Sequence, residues 1–238
     1  MTELLYQTDA YLKDFDAVVQ SVDRDQSAIL LDRTAFFPGG GGQPADLGSI
    51  EYNGKRLELT KVARQGNDVI HCSDGELPEP GTAVSCHIDW ERRHKLMRTH
   101  SAMHVLCGVV WRDYQAQVTG GNMEPLKARM DFEFENFSAD LVHEIEEKVN
   151  IEIARGLPLS VRILPREEAE KIPDLIRTKI NLLPDSLTEI RVVEIEGLDL
   201  QADGGTHVAN TSEIGTFHIV GHKSKGKINK RLKVELED

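Results

Sequence analysis

The sequence has few cysteines and no long apolar run. Its three Cys, at positions 72, 86 and 107, are too few to suggest a disulfide framework. No stretch is apolar for the 18 or so residues that a transmembrane helix needs, so we expect none. The first residues show no basic segment followed by an apolar one, and we therefore expect a cytoplasmic protein with no membrane partner.

Positive charge is also scarce, since 28 Lys and Arg stand against 40 Asp and Glu and the net charge is −12. We do not expect such a chain to bind nucleic acid in a general, sequence-independent way through its charge. Local basic clusters remain compatible with binding, although each is equally well interpreted as a solvated face. One cluster covers residues 92–95 with Arg98. The other, near the C-terminus, contains Lys223, Lys225, Lys227, Lys230, Arg231 and Lys233.

Residues 1–90 have the pattern of a small β domain. Residues 16–23 and 27–32 predict two apolar strands joined by a polar turn, and Asn53-Gly54 is a strong hairpin signal. Further short strands and turns follow at regular spacing. Many short strands with frequent turns predict a small β-barrel.

Residues 91–238 mix helices with strands. Asp89 is a suitable N-cap for a helix over 92–111, and Ser138 to Asp140 precede a helix over 141–155. We predict a polar Gly-rich connection at 117–122 and a short helix at 165–171. Strands are predicted at 128–134, 159–164, 190–195, 213–220 and 232–236. This order predicts an α+β domain, which we expect to have a mostly antiparallel sheet.

His100 and His104 lie four residues apart in the first predicted helix. At that spacing two side chains share one helix face, and two imidazoles so placed can bind one metal ion, usually Zn²⁺. The pair alone is a weak signal. His218 and His222 repeat the spacing in a predicted strand, where four residues span roughly 13 Å. Cys107 shares the helix face and is a further candidate ligand, although a small buried core residue fits it better.

A second segment offers partners for this pair. Gly204-Gly205 permits a sharp turn that can point Asp203 and His207 at one spot. With His100 and His104 they would form a nitrogen-rich site with one oxygen ligand, and catalytic zinc is held by such sets with one position open to water. The alternative is that Asp203 and His207 only bond each other within a loop.

Four consecutive glycines, Gly39, Gly40, Gly41 and Gly42, precede Gln43 in the N-terminal region. Glycine frees the backbone, and bare amide N–H groups can meet an anion or a sugar. The run is not a Walker loop, because no Gly-Lys-Ser/Thr follows it. An ordinary tight loop is the alternative interpretation.

Taken together, these motifs resemble the alanyl-tRNA editing domain, whose free-standing form is the AlaX family of trans-editing proteins. The resemblance rests on His-x-x-x-His in a helix, then Gln-x-x-Gly-Gly, Arg-x-Asp-Phe and Gly-Gly-Thr-His-Val in the same order. The Gly-rich run resembles that of medium-length AlaX proteins, so nearly the whole chain is covered. The residues thereby implied as catalytic or substrate-binding are Gln117, Thr119, Gly120, Gly121, Arg129 and Asp131.

The resemblance implies hydrolysis of seryl- or glycyl-tRNA(Ala) made in error by alanyl-tRNA synthetase, with one zinc ion per chain. It implies a β-barrel like those of translation factors at 1–90, followed by an editing domain with a metal-binding helix at 91–238. The C-terminal basic cluster would meet tRNA phosphate. No counterpart of the synthetase's aminoacylation domain is present, so no ATP site is expected. Thr119 is our candidate for bonding the hydroxyl of serine, or alternatively a turn residue that caps its own loop.

Two positions depart from the family pattern. Many members carry Cys where Asp203 stands. A carboxylate oxygen can bind Zn²⁺ at about 2.0–2.2 Å, or Asp203 can orient His207 from outside a site of three His and water. Synthetase relatives often have Thr in place of Met103, so one polar contact is lost.

Two other functions fit the same residues. A zinc hydrolase of small esters or amides would cleave aminoacyl esters without tRNA. A non-catalytic RNA-binding protein with structural zinc would unfold on chelation and would leave charged tRNA intact. The open, Gly-rich approach to His207 favours catalysis over a buried structural site.

Overall fold

A computed structural model describes residues 2–135, 137–178 and 187–238. The chain divides into two compact units, Met1–Lys95 and Leu96–Asp238. Both are built largely from antiparallel sheets, and the second adds helices. Within the described ranges we find no helix with the length and apolarity that a membrane crossing requires.

The first unit consists of short strands. They are β1 (Glu3–Leu4), β2 (Asp14–Asp23), β3 (Ala28–Leu31), β4 (Arg33–Thr34), β5 (Gly48–Tyr52), β6 (Lys55–Glu58), β7 (Lys61–Gln65), β8 (Asp68–Cys72) and β9 (Ala83–Ile88). Seven of them form one sheet in the order β6-β5-β9-β2-β3-β8-β7, while β1 and β4 pair in parallel. The strands predicted over 16–23 and 27–32 are confirmed as β2 and β3.

Local sequence explains these strands. In β2, Phe15, Ala17 and Val19 are buried and alternate with exposed residues, as expected for a strand with one face in the core. Asn53 and Gly54 join β5 to β6 with φ values of 48° and 72°. Positive φ at both central residues is the mark of a tight hairpin turn, as their sequence predicted.

The predicted small β-barrel is not confirmed. The edge strands β6 and β7 do not pair with each other in the part of the chain that the structure describes. Only Leu59 and Thr60 join them, so the sheet must curl until its edges lie within roughly 10 Å at that link. The amides of those two residues bond instead to the carbonyls of Gly48 and Cys72, both at 2.9 Å. The described strands therefore form an open sheet whose two edge strands are joined only by this two-residue link.

Arg93, part of the first basic cluster, is fully buried in this unit. Its Nε donates to Asp46 Oδ1 at 2.8 Å, and its Nη2 pairs with Oδ2. The guanidinium also donates to the carbonyls of Ala10 and Ala35, at 2.9 and 2.6 Å. Arg93 is thus a core residue and is not available to nucleic acid.

The second unit holds most of helix α1 (Trp90–Tyr114), with α2 (Ala139–Ala154) and α3 (Arg166–Ala169). Its strands are β10 (Val118–Glu124), β11 (Lys127–Glu133), β12 (Leu159–Pro165), β13 (Glu189–Ile195), β14 (Asp199–Ala202), β15 (Phe217–Ser224) and β16 (Asn229–Leu236). They form two antiparallel sheets, in the orders β10-β11-β16-β15 and β12-β13-β14.

The predicted helices and most predicted strands of this unit are confirmed, with three corrections. Residues 117–122 are mostly strand β10 rather than a connection, because β11 provides hydrogen-bond partners for their backbone and this pairing overrides the low strand propensity of glycine. Strand β14 was not predicted. The strand expected from residue 213 starts at Phe217, because Thr211–Glu213 form a 3-10 turn capped by Asn210.

Helix α1 is buried on all sides in its middle part. Every residue from 99 to 110 is buried, so the polar side chains among them lie in the core of the molecule. Buried polar groups require partners, because each unsatisfied one costs free energy. Two of these polar side chains are His100 and His104, and their partners define the candidate site.

Candidate metal centre

Three imidazole rings meet beside the buried half of α1. The ring centroids of His100 and His104 are 5.2 Å apart, and that of His207 lies 4.3 Å from His100 and 4.7 Å from His104. With Asp203, each residue offers one ligand atom, and these atoms all lie within 4.8 Å of one another. Among the residues described, no other group of three or more His, Cys, Asp or Glu side chains is arranged in this way.

Asp203 and His207 reach the cluster from the end of β14 and the loop behind it. Asp203 Oδ2 lies 2.9 Å from His207 Nε2 and accepts the N–H of Gly205 at 2.7 Å. The Oδ1 atom lies 3.5 Å from His100 Nε2. The Asp203–His207 bond of the alternative interpretation is therefore present, but it lies inside the cluster rather than apart from it.

Ser101 orients the third imidazole. Its Oγ accepts the N–H of Val208 at 3.2 Å and lies 3.2 Å from His207 Nδ1. With Nδ1 engaged by this hydroxyl, Nε2 is the ring nitrogen of His207 that faces Asp203. Such outer contacts fix ring orientation in metal sites.

Asp199 was not predicted from the sequence as part of the site. This fully buried carboxylate places Oδ2 3.0 Å from His104 Nδ1 and accepts Gln201 Nε2 at 2.7 Å. Asp199, Gln201 and Asp203 alternate along β14 and its end, which puts their side chains on one face of the strand. That polar alternation, running directly into Gly-Gly-Thr-His, is the signal by which Asp199 could have been found.

The protonation states of three of the four residues suit metal binding. Burial lowers the pKa of His100 to about 4, and burial together with the nearby His100 lowers the pKa of His207 well below its usual value. Burial acts to raise the pKa of Asp203, but the neighbouring imidazoles outweigh it and hold that pKa well below the ordinary range. Burial acts to lower the pKa of His104, and the contact with Asp199 reverses this. At neutral pH His100 and His207 are thus neutral and Asp203 is ionised, as metal ligands must be, whereas the raised pKa of His104 means that a metal ion would compete with a proton there.

This donor set fits one divalent ion. Three nitrogens and one oxygen suit Zn²⁺, either all four bound or with water in one position.

Two other candidate ligands are not part of this site. Cys107 lies outside the cluster. Burial raises the pKa of its thiol, and Sγ contacts Met130 Sδ at 3.7 Å. His218, on β15, bonds Glu237 and is not part of any such cluster within the described residues.

Of the four predicted residues in the Gln-x-x-Gly-Gly stretch, Gln117 directly precedes β10 and the other three lie within its first half. Thr119 is the extra residue of a β-bulge, and its Oγ1 donates to Asn229 Oδ1 at 3.1 Å. Bulges redirect side chains and are frequent beside active sites. Gln117 is exposed, while Gly120 and Gly121 pair with the neighbouring strand β11.

Arg129 and Asp131 lie on β11. Asp131 is buried and accepts Arg231 Nε at 2.7 Å and Nη2 at 2.9 Å, from the residue directly opposite on β16. Lys225 Nζ and Arg129 Nη1 lie 3.4 and 3.6 Å from Asp131 Oδ2. The bonds from Arg231 lower the pKa of Asp131. This group therefore joins two strands and ties Arg231 into the sheet.

The C-terminal basic cluster forms the hairpin of β15 and β16. Lys230 is buried, and its Nζ donates to Ser224 Oγ and to the carbonyls of Gly226 and Lys227. It holds the turn together. Lys223, Lys225 and Lys227 are exposed.

The Gly-rich loop belongs to the first unit. Gly39, Gly40, Gly41 and Gly42 have φ values of 83°, 139°, 59° and 90°, which side chains with a Cβ rarely adopt. Gly40 and Gln43 exchange two backbone hydrogen bonds, at 3.0 and 2.9 Å. The loop conformation therefore requires this glycine run.

Comparisons with known proteins place these features in context. Residues 190–233 match the family model of the threonyl and alanyl tRNA synthetase second additional domain, and residues 2–92 match that of class II (A) tRNA synthetases. The chain is 38% identical over 244 residues to the alanyl-tRNA editing protein AlaX-M of Methanosarcina barkeri, covering 100% of both. It is 38% identical to AlaX-M of Saccharolobus solfataricus, covering 98% of both. Against the alanine–tRNA ligase of Thermoplasma acidophilum it is 38% identical over 223 residues, which are 92% of this chain and 25% of the ligase.

Proposed function

The chain belongs to the AlaX-M family of alanyl-tRNA editing proteins, and from this we propose that it is a zinc-dependent deacylase of seryl- and glycyl-tRNA(Ala). The observation that carries the proposal is the buried cluster of His100, His104, Asp203 and His207. In this proposal, residues 1–90 form the domain with the Gly-rich loop and 91–238 form the editing domain. The amides of Gly39 to Gly42 would meet an anion or a sugar of the substrate.

The reaction is hydrolysis of the ester between an amino acid and the terminal ribose of tRNA. The three imidazoles and Asp203 would hold the ion, with Nε2 of His104 and His207 as the ligand atoms that their Nδ1 contacts leave available. A zinc ion held by these residues would supply Lewis-acid chemistry, activating a water molecule and orienting the substrate. Asp203 brings a negative charge that offsets the ion, and its Gly205 N–H bond fixes its orientation.

The direct test compares Ser-tRNA(Ala) with Ala-tRNA(Ala) as substrates, with and without a chelator. We expect release of serine, little release of alanine, and loss of the activity after chelation that added zinc restores. Elemental analysis of the same sample should find zinc in the active protein. Equal hydrolysis of both substrates, or full activity in metal-free protein, would contradict the proposal.

Thr119 provides a test of amino-acid selectivity. Its hydroxyl, directed by the β-bulge, is our candidate for bonding the serine hydroxyl, and a site with such a group rejects alanine because the group then goes unpaired. We expect Thr119→Val to reduce the ratio of serine to alanine hydrolysis by about fivefold, the value of one hydrogen bond of ~1 kcal/mol. Thr119→Ser, which keeps the hydroxyl, should retain the ratio. An unchanged ratio in the Thr119→Val variant, relative to the parent protein, would rule out this role.

Lys223 and Lys227 provide a test of tRNA binding. Both are exposed, whereas Lys230 holds the turn and Lys225 and Arg231 face Asp131. Replacing both with Gln should weaken tRNA binding and flatten the plot of log affinity against log salt by roughly 1 to 2 units, since each lost phosphate contact removes about 0.7–0.9. Lys127→Gln, an exposed lysine paired with Glu235 on the same sheet, is the control. Identical salt slopes would exclude this hairpin from the tRNA contact.

A further inference from the structure

Arg177 and Asp199 form a buried ion pair beside the metal-binding cluster. Arg177 Nη1 lies 3.0 Å from Asp199 Oδ1, and their side chains are 11% and 0% exposed. The contact lacks hydrogen-bond geometry, and neither of these two atoms has a hydrogen-bond partner among the described residues. Because a buried charge without its counter-charge costs several kcal/mol in general, each group depends on the other.

The second oxygen of Asp199 faces His104. The Oδ2 atom lies 3.0 Å from His104 Nδ1. An acceptor at Nδ1 keeps the ring proton on that nitrogen and leaves the lone pair of Nε2 for a metal ion. A charged acceptor also strengthens the hydrogen bond and makes the imidazole a better donor to a metal. By this contact Asp199 would determine which nitrogen of His104 is available to a metal ion and how strongly that nitrogen binds the ion.

Arg177 is itself held in place from two sides. Its guanidinium lies over the ring of Trp111, further along α1, at 5.5 Å from the centroid, within the range of a cation–π contact. Its backbone carbonyl accepts the N–H of Val118 on β10 at 3.2 Å. A residue far in sequence from every metal-binding motif is thus fixed against the carboxylate that contacts His104.

We propose that Arg177 and Asp199 act together as positioning residues that set the metal affinity of the site through His104. The inference rests on the proposed zinc function and adds to it two residues outside the ligand set. Arg177 compensates the charge of Asp199 without bonding the imidazole, so that Asp199 Oδ2 remains directed at His104. Loss of either partner should weaken zinc binding while all four ligands remain.

The test is zinc affinity, measured by competition with a chromophoric chelator. Asp199→Asn keeps the shape and an acceptor oxygen but removes the charge, and Arg177→Met leaves Asp199 uncompensated. We expect both to bind zinc about 10- to 100-fold more weakly than the parent, as found for lost outer contacts in metal sites. Arg177→Lys, which restores a cation, should recover part of the loss. Arg112→Met, which removes an arginine paired with Glu152 on another side of α1, should match the parent.

A second measurement separates positioning from simple stabilisation. In zinc-loaded protein with ¹⁵N-labelled histidine, the imidazole shifts should place the proton of His104 on Nδ1 in the parent, and the Nδ1 shift should change in Asp199→Asn and in Arg177→Met. Variants that lower the melting temperature but keep the parental zinc affinity and the parental Nδ1 shift would overturn the inference. If the parent itself bound no zinc, the proposed function would fail instead, so the two failures are distinguishable.

Discussion

Replacing His100 with Gln should lower the rate of Ser-tRNA(Ala) deacylation by about 100-fold or more, because a zinc ion contributes several kcal/mol to such reactions. His100 lies at the centre of the cluster: its ring is 4.3 Å from that of His207, and its Nε2 is 3.5 Å from Asp203 Oδ1. A neutral amide is a poor zinc ligand compared with imidazole. The substitution should therefore prevent zinc binding, although the other three ligands remain in place.

The chain offers its own control for this experiment. His218 belongs to the other His-x-x-x-His pair, but it lies half-buried on strand β15 and bonds Glu237. His218→Gln should retain the parent's zinc content and deacylation rate. We expect elemental analysis to show that His100→Gln loses its zinc, together with the activity. Parental activity in His100→Gln, or equal losses in both variants, would contradict the metal centre that we propose.

The halves of the candidate site could be found from sequence because each has a short-range signature. The spacing of His100 and His104 matches one turn of an α-helix. Gly204-Gly205 predicts the sharp bend of the chain that brings Asp203 and His207 together. Asp199 and Arg177 have no such signature. Their roles depend on tertiary structure: strand β14 must lie beside α1, and the guanidinium of Arg177 must lie next to the carboxylate of Asp199. No short segment of the sequence indicates either arrangement.

The fold shows the same division between local and distant effects. Periodicity and capping predicted α1, α2 and the first strands, since those signals lie within the elements themselves. The sheet of the first unit stays open in the described residues, because Leu59 and Thr60, which link its edge strands, bond through their amides to Gly48 and Cys72 instead. The sequence also could not show which residues of the two basic clusters are exposed. Arg93 and Lys230 are buried because residues from other segments pack around them.

The burial of Arg93 leads to the largest stability change that we expect. Asp46→Asn keeps the shape of the side chain but removes the charge that faces the guanidinium, and both residues are inaccessible to solvent. Breaking a buried pair by removing one partner typically costs about 3–5 kcal/mol, because the remaining charge stays buried without compensation. The carbonyls of Ala10 and Ala35 would still accept hydrogen bonds, but they carry no full charge. We expect a loss of this size in the free energy of unfolding of the first unit.

Urea denaturation followed by the fluorescence of Trp90, in a Trp111→Phe background, would report on that unit. Glu91→Gln is the matched control, because it breaks a surface pair with Lys95 four residues along α1, a change typically within about 0.5 kcal/mol. The double variant Asp46→Leu, Arg93→Met should recover part of the loss, since it leaves neither charge unpaired. If Asp46→Asn unfolded at the same urea concentration as Glu91→Gln, the prediction would be wrong, because the charge of Arg93 would then not depend on Asp46 for compensation. A loss in Asp46→Asn that the double variant relieves would instead show that Arg93 serves the core of the first unit and not the binding of RNA.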